Sequence, residues 1–293
     1  MSIFTGAGVA LVTPFNESGV NFHKLRELIE WQISEGTDAI IICGTTGEAS
    51  TMSESEKKDA IKFTVDTVNG RIPVIAGTGT NSTKTSIDMS KWAESIGVDG
   101  LLIINPYYNK TSLKGLYHHF KAINDEVSIP IVVYNVPSRT GMNITPKSLE
   151  SLIELDNIKA VKEASGDISQ IALIASKLKD KIDIYSGNDD QIVPILSLGG
   201  KGVISVASNI IPKVIHDICT NYFDGNVNAS MNLQLEYLEL INTLFIETNP
   251  IPVKTALNLI NMNVGDLRLP LYEMEDINKN TLINVLSKYK LMK

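Results

Sequence analysis

Short apolar runs alternate with longer amphipathic stretches from the start of the chain to about residue 225. The runs fall at 8–12, 39–43, 73–76, 100–104, 130–134, 158–162, 182–185 and 202–206. Each has the length and the β-branched content of a strand buried on both faces. Between them the apolar residues recur at helical spacing. Asn21 precedes Phe22, Leu25, Leu28 and Ile29, and that periodicity stops at Gly36. Ser53 and Glu56 form a capping-box pattern ahead of Ile61 and Val65, with Gly70 closing the segment. Thr145-Pro146 and Ile211-Pro212 read as helix starts with proline at the first helical position, and Gly97 ends the helix carrying Met89, Trp92 and Ile96.

Eight alternating β/α units predict an α/β fold of the (β/α)8 barrel type rather than an open sheet. The first strand also lacks the glycine-rich phosphate turn of a doubly wound fold, since Thr13, Pro14 and Phe15 follow it. After Asn226 only helical patterns remain, at 231–245, 252–260 and 277–289. The expected organisation is a barrel over 1–225 and a helical C-terminal extension over 226–293.

One run stands apart because it ends in a charge. Strict alternation along 158–162 places Ile158, Ala160 and Lys162 on one face and Lys159 and Val161 on the other, before Ser165 and Gly166 stop the strand. A lysine at a strand end can simply snorkel into water. Desolvated, its amine loses part of its basicity and becomes a nucleophile for ketones.

Composition narrows the setting. The chain has 293 residues, 43% of them hydrophobic and 20% charged, as in a globular protein. With 33 acidic against 26 basic residues the formal charge is −7, which argues against nucleic acid or an anionic membrane as partner. Cys43 and Cys219 fit no metal or redox spacing and suit a reduced, cytoplasmic setting. The four histidines form no ligand motif. No signal peptide opens the sequence, and no apolar run approaches the roughly 20 residues of a membrane span.

In a barrel the C-terminal strand ends converge on one mouth. Here they read Gly44-Thr45-Thr46-Gly47-Glu48, Gly77-Thr78-Gly79, Asn105-Pro106-Tyr107-Tyr108-Asn109, Tyr134 to Gly141 with Arg139 inside, Lys162, and Ser186-Gly187-Asn188-Asp189-Asp190. Singly, each has a plain structural explanation: a tight turn at Glu48, packing aromatics, a surface arginine, a helix N-cap at Asn188 to Asp190. Together they supply a lysine nucleophile, tyrosine for proton transfer, paired backbone donors for a carboxylate and an arginine fork for a second one.

These stretches, with Val161-Lys162-Glu163-Ala164-Ser165-Gly166, Asn249-Pro250-Ile251-Pro252-Val253-Lys254 and Leu267-Arg268-Leu269-Pro270, resemble the dihydrodipicolinate synthase/N-acetylneuraminate lyase family over nearly the whole chain. The Thr45-Thr46 pair and Arg139 favour its synthase branch over the sialic-acid and hydroxy-oxo-acid lyases, which are the alternative reading. The resemblance implies a lyase that joins pyruvate to aspartate-4-semialdehyde without metal or organic cofactor. It implies that Lys162 forms the Schiff base, that Tyr134 is its acid/base, and that Thr45 and Tyr108 complete a proton relay, Tyr108 from a neighbouring subunit. Thr46 would hold the pyruvate carboxylate and Arg139 that of the semialdehyde, with Gly187 and the Ile204 carbonyl lining the pocket. A homo-oligomer follows, a tetramer built from two tight dimers. Lysine-sensitive members bind lysine at the tight interface, and there this chain keeps Asn81 and Tyr107. It carries Glu54 and Lys57 in place of their histidines and Thr85 in place of their glutamate, which implies insensitivity.

Overall fold

Eight parallel strands close into a barrel in sequence order in the computed structural model, which describes residues 2–292. They are β1 (Gly6–Ala10), β2 (Ala39–Ile42), β3 (Val74–Gly77), β4 (Gly100–Ile104), β5 (Ile131–Asn135), β6 (Ile158–Glu163), β7 (Asp183–Ser186) and β8 (Gly202–Ser205). Gly8 of β1 closes the ring, pairing with Ala39 on one side and Ile204 on the other. A two-rung hairpin, Phe15–Asn16 with Gly19–Val20, follows β1.

Alternation along the strands builds two cores. Inward residues such as Ala10, Ile41, Ile75, Leu102, Val132 and Ile204 fill the barrel. Its floor is Tyr185, whose ring stacks on Phe4 at 4.3 Å and whose hydroxyl donates to the Phe4 carbonyl at 2.6 Å. Outward residues such as Ile40, Ile103, Val133 and Val203 join the apolar faces of the surrounding helices.

Local chemistry fixes the helix starts. Asn21 accepts from the Lys24 amide at the head of Phe22–Ser34, and Ser53 and Glu56 form a complete capping box on Glu54–Val68. Thr145 caps Pro146–Leu152. The C-terminal extension comprises Val227–Glu236, Leu238–Thr243, Ile251–Leu259 and Asp276–Lys288. Its first helix begins four residues before the periodicity suggests, and Tyr237 interrupts it.

Two sequence expectations shift. The first strand lies at Gly6–Ala10 instead of 8–12: the Leu11 amide still donates to the Ile41 carbonyl at 3.0 Å, but the Val12 amide turns to the Asn209 side chain at 3.1 Å. In β6 the alternation breaks. Ile131 pairs with Ile158 but Val132 pairs with Ala160, so Lys159 is an extra residue in the ladder. Ile158 therefore packs in the outer core, while Ala160 and Lys162 point into the barrel and Lys159 is exposed.

Candidate active site

Tyr134 and Lys162 are register partners at the C-terminal ends of β5 and β6. The Lys162 amine sits 4.4 Å from the centroid of the Tyr134 ring, and both side chains are buried. Burial lowers the Lys162 pKa to about 8; the Asp189 carboxylate pushes it up and Arg139 pushes it down. Burial raises the Tyr134 phenol, against opposing pulls from Arg139 and the Thr45 side chain, so the hydroxyl keeps its proton at neutral pH. A lysine of pKa about 8 has roughly a tenth of its amine free at pH 7, some 300 times the share of an ordinary lysine.

A buried polar cluster behind the barrel wall holds these strand ends. Asn135 and Glu163, the next register pair, are joined by hydrogen bonds of 3.1 Å from Asn135 Nδ2 to both carboxylate oxygens. The Ser165 amide and Gln170 Nε2 also donate to Glu163, at 2.8 and 3.3 Å. Burial is the main influence on the Glu163 carboxyl, whose pKa it raises.

Tyr134 lines a cavity of about 460 Å³ whose walls also include Gly44, Thr45, Thr78, Tyr107 and Arg139; Lys162 lies behind Tyr134 and does not line it. Thr46 is buried beside it and its hydroxyl accepts from Asn249 Nδ2 at 3.0 Å. Arg139 sits on the short helix Pro137–Thr140 and donates from Nη2 to the Asn249 carbonyl at 2.8 Å. Gly187 abuts the end of β6, where its amide donates to the Glu163 carbonyl at 2.8 Å and a Cβ would come within 2.6 Å of Ala164. Ile204 is fully buried inside β8.

The chain thus brings Lys162, Tyr134, Thr45 and Arg139 to one mouth, with Thr46 adjoining. Tyr108 is not part of it. This residue holds a left-handed φ of 66°, is 92% exposed and does not line the cavity of its own chain.

Three residues that matter here escape a reading by motif. Asp189 follows β7 in a 3-10 turn, but instead of capping it the carboxylate accepts the Val206 and Ala207 amides at 3.0 Å each. Asn249 bridges Thr46 and Arg139. The Glu48 carboxylate bonds no amide of its own turn; it forms a buried ion pair with Lys254 at 2.7 Å. Asn188-Asp189-Asp190, Gly44 to Glu48 and Asn249 to Lys254 signalled these in sequence, and none of the stretches names a partner.

The profile of the Dihydrodipicolinate synthetase family matches residues 3–289. The 4-hydroxy-tetrahydrodipicolinate synthase 1 of Clostridium acetobutylicum is 64% identical over 293 residues, spanning 100% of both chains. Among solved structures, the dihydrodipicolinate synthase from Aquifex aeolicus superposes with a TM-score of 0.96 at 43% identity, covering 99% of each chain. The enzyme from Cyanidioschyzon merolae, solved with lysine bound, superposes with a TM-score of 0.96 at 37% identity over 100% of both chains.

Proposed function

The chain belongs to the dihydrodipicolinate synthetase family, and from that premise we propose that its barrel mouth works through a Schiff base on Lys162. The reaction is the condensation of pyruvate with L-aspartate-4-semialdehyde to 4-hydroxy-tetrahydrodipicolinate, in the diaminopimelate route of lysine biosynthesis. The observation that carries the mechanism is the buried, weakly basic Lys162 amine beside the Tyr134 ring.

The free amine attacks C2 of pyruvate, and the carbonyl electrons move to oxygen, which takes a proton from Tyr134. The nitrogen returns a proton to Tyr134, which passes it to the new hydroxyl; this leaves as water while the nitrogen lone pair forms the protonated imine. Loss of a C3 proton forms the enamine, with the protonated nitrogen as electron sink. Its C3 then attacks the aldehyde carbon, and the amine of the second substrate closes on the imine carbon and expels Lys162. Tyr134, kept protonated by burial, moves protons at the nitrogen and oxygen, and Thr45 passes them outward. Thr45 and Thr46 hold the pyruvate carboxylate, and Arg139 takes that of the semialdehyde. Gly187 and the Ile204 carbonyl complete the wall.

In this reading the active form is a homo-oligomer, a dimer of tight dimers. Tyr108, exposed on its own chain, then reaches the neighbour's Tyr134 and Thr45. A cytoplasmic location fits the two buried, unpaired cysteines. No helix among the described residues is long and apolar enough to cross a membrane. The direct test is borohydride reduction with pyruvate followed by peptide mapping: the label is expected on Lys162, and a label on Lys159 alone, or none in active enzyme, would refute the mechanism.

A further inference from the structure

The C-terminal extension reaches the mouth through buried polar contacts that the reaction leaves unused. Lys254, on helix Ile251–Leu259, is 1% exposed, and its amine lies 2.7 Å from Oε1 of Glu48, which is 2% exposed. Glu48 closes the Gly44 to Glu48 turn in a left-handed conformation, φ 54°, that non-glycine residues hold only when their surroundings impose it. Its other oxygen accepts the Arg268 amide at 2.9 Å. Lys254 also donates to the Asp266 carbonyl at 2.8 Å and stands 4.6 Å from the centroid of the Phe15 ring. The turn is pinned again at Gly47, whose carbonyl accepts from Thr13 at 2.7 Å, and at Thr46 by Asn249.

Such a pair is a poor source of net stability, because stripping water from both charges offsets most of their attraction. It is a good source of geometry. Each ion has two hydrogen-bond partners here, and one of them ends the turn whose Gly44 and Thr45 line the cavity. We infer that Lys254 is a positioning residue for substrate: through Glu48 it fixes the Thr45-Thr46 turn in the shape that receives the pyruvate carboxylate. The inference rests on the pyruvate reading proposed above.

The test is the pyruvate concentration that half-saturates borohydride labelling of Lys162, measured with the melting temperature and with the pH midpoint of labelling. Lys254→Met is expected to raise that concentration about ten-fold and to leave the pH midpoint in place, since the lost contact is to a carboxylate held by the turn and not to the amine. Glu48→Gln keeps one acceptor oxygen, enough for Lys254 but not also for the Arg268 amide, so its rise should be smaller than that of Lys254→Met, about three-fold. A purely structural role would lower the melting temperature and leave half-saturation alone. Values within two-fold of wild type in the folded variants overturn the inference, and Glu48→Gln decides alone if Lys254→Met does not fold. Wild-type protein that takes no label at all overturns the pyruvate reading and the inference with it.

Discussion

Tyr134 and Lys162 face each other across adjacent strands, with the amine 4.4 Å from the ring centroid and neither group open to water. A cation over an aromatic face is held by the ring, yet burial here outweighs that attraction and Lys162 falls to about 8. The site therefore keeps a proton-bearing phenol next to an amine that gives up its own proton easily.

The pH profile of pyruvate labelling should reveal this. The labelling rate is expected to climb about ten-fold per pH unit below the midpoint, to turn over near pH 8, and to flatten above it. A turnover above pH 10, the range of an ordinary lysine, would show that Lys162 is not desolvated.

The same burial has a stability cost with a definite sign. Folded Lys162 loses its proton near pH 8, whereas in the unfolded chain it does so near 10.4. Between those values the unfolded state binds more protons, so this group makes stability rise with pH over that window. Below pH 8 the charged amine is held in a dry site at a cost on the order of 3 kcal/mol. Lys162→Met should thus melt higher than wild type at pH 7 while inactive, with the gain shrinking as pH approaches 10. Chemical denaturation at several pH values measures it, and a destabilised variant at pH 7 contradicts the assignment.

Arg139 separates the two substrates. Its guanidinium lines the cavity and is braced by the Asn249 carbonyl. Arg139→Ala is expected to cut turnover with aspartate-4-semialdehyde ten- to a hundred-fold, matching the roughly 1.5–3 kcal/mol of a charge-assisted hydrogen bond. Pyruvate labelling of Lys162 should survive nearly intact. Equal loss of both steps in a folded variant would assign Arg139 a structural role.

What the sequence discloses depends on how far apart the interacting residues lie. The eight strands, the capping box at Ser53 and the positions of Lys162 and Tyr134 at strand ends are local patterns, readable from a few neighbouring residues. The bulge at Lys159 is a matter of pairing with β5, so strict alternation wrongly put Ile158 on the Lys162 face. Asn249 and Lys254 act on Thr46 and Glu48 across 203 and 206 residues, and no local periodicity encodes such a contact. Asp189 was visible as an acidic residue after a strand, but its duty to the Val206 and Ala207 amides appears only once β7 and β8 are adjacent.

Tyr108 supplies the test of assembly. A side chain this exposed, next to Tyr107 on the cavity wall, is the kind of aromatic that interfaces bury. Tyr108→Phe and Lys162→Ala subunits should each be weakly active, and mixing them through dissociation and reassembly should restore part of the wild-type rate. Full activity in a species that sediments as a monomer would end the shared-site reading.

The side chains around Tyr107 argue against regulation by lysine. Tyr107 and Lys57 share the cavity wall, so a ligand ammonium settling there would meet a fixed positive charge. Two like charges about 4 Å apart cost about 4 kcal/mol at an effective dielectric near 20, enough to cancel a modest affinity. Glu54 could offset this only with a free carboxylate, and that carboxylate is paired with Lys58 at 2.6 Å, one helical turn along. Thr85 brings no charge; its hydroxyl is turned to Ser82 at 3.0 Å. Steady-state turnover is therefore expected to stay within two-fold of its uninhibited value at millimolar lysine. Replacing the repulsive group, as Lys57→His together with Thr85→Glu, should introduce inhibition, strongest near neutral pH, where the new carboxylate is ionised. Half-inhibition of the unaltered enzyme by sub-millimolar lysine would mean that Glu54 swings from Lys58 to the ligand, and Glu54→Gln would then abolish the effect.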